Sequence, residues 1–328
     1  MRLRLVDDDV PRETVELLRA ACVARGVEVD HLDAKVFSWD PDLRCRPGDL
    51  LFRPAVSLAA MRVEHFLWAP GAATFYARPG RIDFTPFDAA WIHERSGVPV
   101  PPTVYGSTLD RDVLRGHVER LGGLPVVVKI LGGSGGLGVI KVDAWPTLFS
   151  VIEYAVSLGN QPLVQAFVPD AVHWRCVVVG SRVVAAYRNV QLQDDFRTYG
   201  SSDPADVCAP PPGMAEVAVR AVACLELEHG GVDVLETPDG RHLVLEANFP
   251  CYFPHAQLVS GVDVAGAMVE HLLRKARASA GGAAPSDEPA ASASPTKRPA
   301  RGRRQSAAPP EPARSGRSSA RKRPTSGR

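Results

Sequence analysis

The sequence lacks the patterns that would place it in a membrane or in an oxidising compartment. Its six cysteines are widely spaced and no two form a Cys-x-x-Cys pair, so neither a zinc site nor a disulfide framework finds support. No apolar run approaches the length that spans a membrane, and the chain reaches acidic Asp7-Asp8-Asp9 before any apolar stretch long enough for export. We therefore expect a cytoplasmic protein that does not bind membranes.

Large apolar residues are also scarce in one part of the chain, residues 279–328, where Pro, Ala, Ser, Gly and Arg dominate. Such a segment cannot bury enough surface to offset its ordering entropy, and we expect a disordered tail. It holds eleven of the 38 basic residues and three of the 37 acidic ones, which leaves 27 basic and 34 acidic residues elsewhere. A basic tail of this kind suits binding of nucleic acid or an acidic partner, and a merely solubilising extension explains it equally well.

The most informative segment is a glycine loop between two short strands. The strand at residues 126–130 ends in Lys129-Ile130, the loop occupies residues 132–138, and a second strand follows at residues 139–142. Small residues let backbone N–H groups approach phosphate oxygens, and Lys129 adds a cationic donor. The segment therefore indicates nucleotide binding.

The same glycines also fit the dinucleotide fingerprint, through Gly133, Gly135 and Gly138. That fingerprint and the Walker-type loop both need a helix directly after the glycines, because the helix N-terminus receives the phosphates. Here a β-branched run follows, no Gly-Lys-Ser/Thr ending is present, and the loop lies in mid-sequence, so a Rossmann site is disfavoured. Taken alone, the segment leaves a ligand-free hairpin turn as the alternative.

Alternating strands and helices are predicted for the first hundred residues. This order favours a parallel sheet. The strands are expected at residues 3–6, 27–32 and 49–52, and the helices at residues 11–26 and 61–68. The proline-rich residues 98–103 then read as an extended domain connection.

Two more helices and a strand are predicted around the glycine loop. One helix is expected over residues 108–121, and another, capped by Asp143, is expected to end at Gly159. A strand over residues 163–168 follows.

A β-hairpin is predicted around Gly180-Ser181, between strands at residues 174–179 and 182–187. With those two residues as the loop, Arg175 faces Ala186, and alternation places Arg188 on the same sheet face. Arg197, in the following loop, is expected to join them. Three guanidinium groups suit an anionic substrate or a developing phosphoryl charge, and solvated arginines on an exposed strand are the alternative.

An oxygen-rich cluster is predicted further on. Strands at residues 230–235 and 242–248 flank a turn, and alternation places Val244, Glu246 and Asn248 on one face, with Asp233 on the adjoining strand. Two carboxylates and an amide suit Mg²⁺. A structural salt-bridged pair is the alternative that these residues alone favour.

Together these motifs resemble the ATP-grasp superfamily, and within it the RimK-like carboxylate-amine ligases. The resemblance covers residues 98 to about 275 in consistent order. Its motifs are Gly97-Val98-Pro99-Val100-Pro101-Pro102-Thr103, Val128-Lys129 with the glycine loop, Val164-Gln165-Ala166-Phe167-Val168, Trp174-Arg175-Cys176-Val177-Val178-Val179-Gly180, Asp195-Phe196-Arg197, Gly231-Val232-Asp233, Leu245-Glu246-Ala247-Asn248 and Gly261-Val262-Asp263-Val264-Ala265.

The resemblance implies an α/β fold with a nucleotide held between two α+β lobes and the glycine hairpin as a lid. The implied domains are a Rossmann-like pre-ATP-grasp unit at residues 1–97, a small lobe at 98–168, a large lobe at 169–278 and the tail at 279–328.

The resemblance also implies roles for particular residues. Phosphate contacts would come from Lys129, Gly133, Ser134, Gly135 and Gly136, and the adenine and ribose contacts from Gln165, Ala166, Phe167, Val168, Asp170 and His173. The metal, Mg²⁺ or alternatively Mn²⁺, would be held by Asp233, Glu246 and Asn248. The γ-phosphoryl group and the substrate carboxylate would be steadied by Arg175, Arg188 and Arg197.

The implied reaction uses ATP to phosphorylate a carboxylate, and an amine then attacks the acyl phosphate to form an amide. An amino acid joined to a peptide or protein terminus is one such reaction. The alternative is a catalytically impaired ATP-binding module that recruits a partner or nucleic acid through its basic tail. It is motivated by Thr85-Pro86-Phe87-Asp88, which stands where the family has a helix lysine. A homo-oligomer stays open.

Overall fold

The described chain alternates strands and helices at its N-terminal end and then builds two antiparallel sheets. The computed structural model describes residues 1–79, 89–130 and 136–281. The strands are β1 (Arg2–Asp7), β2 (Glu28–Asp33), β3 (Leu50–Phe52), β4 (Thr103–Val104), β5 (Val126–Lys129), β6 (Val139–Val142), β7 (Leu163–Ala166), β8 (Val172–Val179), β9 (Arg182–Gln191), β10 (Thr198–Gly200), β11 (His229–Glu236) and β12 (His242–Asn248). The helices are α1 (Arg12–Val23), α2 (Leu58–Leu67), α3 (Ala89–Arg95), α4 (Arg111–Arg120), α5 (Trp145–Ser157), α6 (Met214–Ala223), α7 (Pro254–Ser260) and α8 (Val264–Gly281).

The N-terminal sheet is parallel, in the order β2-β1-β3, as the alternating pattern predicts. Leu3 and Leu5 of β1 are buried against Leu18 and Cys22 of α1, the helix face that the sequence spacing indicates. Gly26 ends the turn after α1 with a φ of 65°, a left-handed conformation that favours glycine.

The second sheet has the order β4-β7-β5-β6, and its two faces differ in polarity. Val126, Val128 and Val164 are buried together with Leu114 of α4 and Leu148 of α5. Successive side chains of a strand point to opposite faces of the sheet. Lys129, which follows Val128 on β5, therefore lies on the face away from this core. This sheet therefore presents a lysine-bearing face away from its core.

Helix and strand ends in this sheet depart from the sequence predictions. Helix α4 begins three residues late, because the Asp110 side chain accepts from the N–H groups of Asp112 and Val113 and so caps the helix. The predicted Asp143 cap is wrong: Ala144 occupies the cap position of α5 and no side chain bonds there. Strand β7 ends at Ala166 rather than at residue 168, where the connection to β8 begins.

The third sheet has the order β10-β9-β8-β11-β12 and is covered on both faces. Trp174 and Cys176 of β8 pack with Met214 of α6. On the other face, Val177 of β8 packs in one cluster with Met268 of α8 and with the N-terminal strands β1 and β3. The N-terminal unit thus shares a core with the sheet built from residues 172–248.

The C-terminal helix extends beyond its predicted end. Residues 279–281, expected in the tail, continue α8, and residues 282–328 lie outside the described part of the chain. All described residues fall within one compact unit, so the two domain boundaries at 97/98 and 168/169 stay predictions. Within the described residues, no helix combines the length and apolarity needed to cross a membrane.

A buried ion pair supports the chain just after β3. Arg53 Nε lies 2.8 Å from Glu64 Oε2 on α2, with side chains 2% and 1% exposed. The Tyr76 hydroxyl donates to the same carboxylate oxygen at 2.9 Å. Burial raises the pKa of Glu64, and the Arg53 charge opposes that rise. The guanidinium carbon of Arg53 also lies 5.9 Å from the ring centroid of Phe249, the residue directly after β12.

We predict that Arg53→Met lowers the free energy of unfolding by about 3–5 kcal/mol, because Glu64 is left buried without its cation. Urea unfolding measures the change. The double variant Arg53→Met/Glu64→Leu should recover much of the loss. Arg2→Met, which breaks the exposed pair with Glu28 (46% and 74% exposed), is the matched control and should change stability by less than about 1 kcal/mol. Equal effects of the two arginine substitutions would contradict the prediction.

Candidate active site

Four side chains form a row across β9, β8, β11 and β12. The strand register pairs Tyr187 with Arg175, Arg175 with Asp233, and Asp233 with Glu246. Directly paired residues of antiparallel strands point to the same sheet face. The row therefore places a hydroxyl, a guanidinium and two carboxylates side by side on one face of the third sheet.

A β-bulge in the β8–β9 hairpin sets one end of this row. The register shifts between Val177 and Val178, so one residue of β9 is left over and Arg175 pairs with Tyr187 rather than with Ala186. An extra residue inverts every later side chain. Arg188 consequently pairs with Trp174 on the opposite face, and the prediction that Arg175 and Arg188 share a face is wrong.

Arg188 instead holds the segment that follows β10. Its Nη2 lies 3.2 Å from Asp206 Oδ1 and donates to the Ala205 carbonyl at 3.1 Å. The Ser201 hydroxyl donates to the other oxygen of Asp206 at 2.5 Å. Arg188 thus fixes a loop rather than facing the row.

A second bulge, in the β11–β12 pair, sets the other end of the row. The register shifts after Asp233, so Leu245 has no partner on β11. Val244 therefore packs with the core beneath the sheet, contrary to the prediction that it shares a face with Glu246. The predicted neighbourhood of Asp233 and Glu246 across the two strands is confirmed.

The carboxylates of the row are held by hydrogen bonds at both ends. Arg175 Nη1 donates to Asp233 Oδ2 at 2.7 Å, and Asn248 Nδ2 donates to Glu246 Oε1 at 2.7 Å. Burial raises the pKa of Asp233 to about 6, with Arg175 opposing the rise and Glu246 adding to it. Burial also raises the pKa of Glu246, but hydrogen bonds from Asn248 and Asp233 outweigh it and leave the pKa lowered.

This donor set fits a hard divalent cation. Two adjacent carboxylates repel each other unless a proton or a cation lies between them, and the Asn248 amide oxygen is left free when its nitrogen donates. Within residues 1–79, 89–130 and 136–281, no group of three or more His, Cys, Asp and Glu side chains offers an alternative metal site.

Lys129 reaches the same carboxylates from the other sheet. Burial lowers the pKa of Lys129, and the charges of Glu246 and Asp233 act in the opposite direction. The Lys129 ammonium group therefore lies within electrostatic range of both carboxylates. The lysine-bearing face of the second sheet and the row on the third sheet thus face the same region.

Arg197 contacts the described end of the glycine loop. Its Nη1 donates to the Gly136 carbonyl at 3.1 Å, and its Nη2 lies 2.6 Å from Asp195 Oδ2. Gly136 has a φ of 79°, and a Cβ there would lie 2.9 Å from Arg197 Cδ. Arg197 is thus beside the glycine loop, while Gly133, Ser134 and Gly135 lie outside the described residues.

The expected adenine-contacting residues lie at the end of β7 and in the connection to β8. Gln165 is buried and donates from Nε2 to Thr103 Oγ1 at 2.9 Å. The Ala166 N–H donates to the Pro102 carbonyl at 2.8 Å. The Lys141 ammonium lies 3.9 Å from the ring centroid of Phe167. The next residue, Val168, is half-buried.

The two expected ribose-contacting residues flank the start of β8. Asp170 adopts a φ of 54°, within the turn before the strand. His173 Nδ1 lies 3.1 Å from Thr198 Oγ1 on β10. Burial lowers the pKa of His173, which leaves a neutral imidazole at physiological pH.

Sequence reasoning missed Tyr187 and Gly231. A Cβ on Gly231 would lie 2.4 Å from Arg175 Nη2, so the guanidinium lies directly over the glycine. The available signal was a Gly-Gly pair within a predicted strand, which marks a close approach by another group. Tyr187 was not predicted because the expected register paired Arg175 with Ala186 instead.

Comparison with known proteins identifies the family. The model of the RimK-like ATP-grasp domain matches residues 94–272, more than half of the chain. The chain belongs to the RimK-like ATP-grasp family. The predicted fold class and the ligase class are therefore confirmed.

Two curated relatives and one solved structure illustrate the likeness. A probable alpha-L-glutamate ligase of Picosynechococcus sp. is 36% identical over 302 residues, covering 84% of this chain and 96% of that protein. The ribosomal protein bS6--L-glutamate ligase of Escherichia coli is 32% identical over 185 residues, which cover 56% of this chain and 61% of the relative. The ATP-grasp ligase PsnB, solved with a minimal precursor, Mg and ADP, superposes with a TM-score of 0.65 over 84% of this chain and 98% of that one, at 17% identity.

We predict that Gly231→Ala displaces the Arg175 guanidinium from its place beside Asp233, because the added Cβ would lie 2.4 Å from Arg175 Nη2. A misplaced positioning group of this kind can lower turnover about 10²-fold. ATP-dependent ligase turnover and thermal unfolding are measured together. Gly116→Ala on α4, where the nearest atom to the added Cβ is 3.8 Å away, is the matched control and should leave turnover unchanged. Full turnover by Gly231→Ala would show that the position of Arg175 is not critical.

Proposed function

We propose that this RimK-like ligase uses ATP to join an amino acid, L-glutamate, to a carboxylate of a peptide or protein through an acyl phosphate. The glutamate and the polypeptide are supported by relatives named as glutamate ligases, one of them named for ribosomal protein bS6. The observation that carries the chemistry is the row in which Arg175, Asp233 and Glu246 lie side by side, with Arg175 Nη1 2.7 Å from Asp233 Oδ2. Cations and carboxylates placed together in this way suit phosphoryl transfer, in which positioning and charge neutralisation dominate.

In this proposal Asp233, Glu246 and Asn248 hold Mg²⁺, with Mn²⁺ as an alternative ion for the same oxygen ligands. The bound ion supplies neutralisation of charge on the phosphate oxygens. Lys129 and the glycine loop bind the phosphates. The backbone from Gln165 to Val168 reads the adenine edge, and Asp170 and His173 lie on the ribose side.

The other positive charges of the proposed site come from Arg175 and Arg197. Arg175 lies next to Asp233 and can steady both the transferring phosphoryl group and the substrate carboxylate. Arg197 contributes from the loop side, where it contacts Gly136. Arg188 has no direct role in this proposal, because it lies on the opposite sheet face and anchors the loop at Asp206.

The impaired-module alternative draws no support from the described residues. Its motivation, the missing helix lysine near Thr85 and Asp88, lies outside them. Partner or nucleic-acid binding by the basic tail, a cytoplasmic location and a homo-oligomer likewise stay predictions.

We predict that Lys129→Ala and Glu246→Ala each reduce amide formation about 10²–10³-fold, because each removes a charge that acts on the transferring phosphoryl group. The assay follows ADP release that depends on L-glutamate and an acceptor peptide, with the product identified by mass spectrometry. Circular dichroism checks that the variants fold.

Matched controls are Lys35→Ala and Glu153→Ala, which remove exposed charges paired elsewhere, with Asp9 and Arg111 respectively. Both should keep full activity. Unchanged activity in Lys129→Ala and Glu246→Ala would mean that the site is misplaced. A folded, ATP-binding wild type that releases no substrate-dependent ADP across a panel of amino acids and peptides would overturn the ligase proposal itself.

A further inference from the structure

Tyr187 combines a buried ring with an unpaired hydroxyl. The residue is 6% exposed, and its ring packs edge-on against His255 with centroids 5.2 Å apart. No hydrogen bond reaches the hydroxyl from any residue in the described ranges, and its oxygen is not among the fully enclosed polar atoms that lack a partner. A buried tyrosine hydroxyl normally has a partner. The hydroxyl of Tyr187 therefore has no hydrogen-bond partner among the described residues.

The position of Tyr187 in the row indicates what that partner is. Tyr187 is the neighbour of Arg175 on the side away from Asp233 and Glu246. Adjacent strands are about 4.8 Å apart, so a guanidinium and a hydroxyl on neighbouring strands can reach the two oxygens of one carboxylate. The carboxylates proposed to hold the metal, Asp233 and Glu246, lie on the other side of Arg175, which separates this position from the ion.

The protonation state of Tyr187 suits a donor. Burial raises the pKa of Tyr187 to about 12, while the positive charge of Arg175 acts in the opposite direction. The hydroxyl therefore keeps its proton at physiological pH and can donate to an anion.

We propose that Tyr187 is a substrate-positioning residue whose hydroxyl donates a hydrogen bond to the acceptor carboxylate that is to be phosphorylated, beside Arg175. This inference rests on the proposed function and deepens it, because it assigns the acceptor end of the site. The acceptor carboxylate then lies at the Tyr187 end of the row and the nucleotide phosphates at the Glu246 end.

The test is Tyr187→Phe, which removes the hydroxyl and keeps the ring against His255. A synthetic peptide ending in glutamate is titrated at saturating ATP, Mg²⁺ and L-glutamate. A hydrogen bond to a charged group predicts a KM for the peptide raised about tenfold or more, with the KM for ATP unchanged. Tyr154→Phe makes the same chemical change on α5, at a residue 66% exposed, and should alter neither value.

A purely structural role for Tyr187 predicts a different pattern. Because the ring is retained, Tyr187→Phe would then leave both KM values unchanged, and this result would overturn the inference. A rise in the KM for ATP that matches the rise for the peptide would also overturn it, since the effect would not be confined to the acceptor.

A binding measurement separates failure of this inference from failure of the proposed function. If the wild type forms no amide, peptide binding is measured by calorimetry with Mg²⁺ and a non-hydrolysable ATP analogue. If Tyr187→Phe bound the peptide at least tenfold more weakly than the wild type, this would support an acceptor site at Tyr187 even though the ligase proposal had failed. Equal binding in both proteins, or none in either, would overturn the inference.

Discussion

The ion pair between Arg175 and Asp233 is the interaction on which the site depends. Arg175 Nη1 lies 2.7 Å from Asp233 Oδ2 in the middle of the row. On their outer sides, Arg175 neighbours Tyr187 and Asp233 neighbours Glu246. Without the guanidinium, Asp233 would be a half-buried carboxylate facing a second one, an arrangement that is strongly unfavourable. The pair in turn depends on Gly231, because any larger residue would occupy the space that the guanidinium fills.

Most secondary structure and half of the row could be predicted from local pattern. Glu246 and Asn248 are two residues apart on one strand, and Asp233 lies on its hairpin partner, so alternation and a tight turn suffice to bring them together. Arg175 and Arg188 could not be placed in this way. The bulge in β9 falls within Val183-Val184-Ala185-Ala186, where every residue is small and apolar and no polar position marks the inserted one. In a strand segment that is apolar on both faces, no alternation of polar and apolar residues indicates the register.

The shared core of the N-terminal unit and the third sheet lies beyond local prediction as well. It joins residues more than two hundred positions apart, and it is fastened by Lys275 of α8, whose ammonium donates to the Thr74 and Tyr76 carbonyls at 2.8 and 2.9 Å and to Glu228 at 2.6 Å. Each segment has an amphipathic pattern that requires a partner, but the pattern does not say which partner. The sequence thus does not identify the third sheet as the partner of the N-terminal unit, whereas the described chain packs both around one apolar cluster.

The second sheet is an insertion, since the chain enters it through residues 98–102 and leaves it through residues 167–171. Both crossings contain proline, and the first is hydrogen-bonded to both neighbouring sheets: Val244 N–H of β12 donates to the Pro99 carbonyl at 2.8 Å, and Ala166 N–H of β7 donates to the Pro102 carbonyl at 2.8 Å. A change in the angle of the second sheet would use the few free torsions of the two crossings, because proline fixes its own φ. Because Lys129 lies on the second sheet, such a change would also alter the electrostatic interaction of its ammonium group with Asp233 and Glu246.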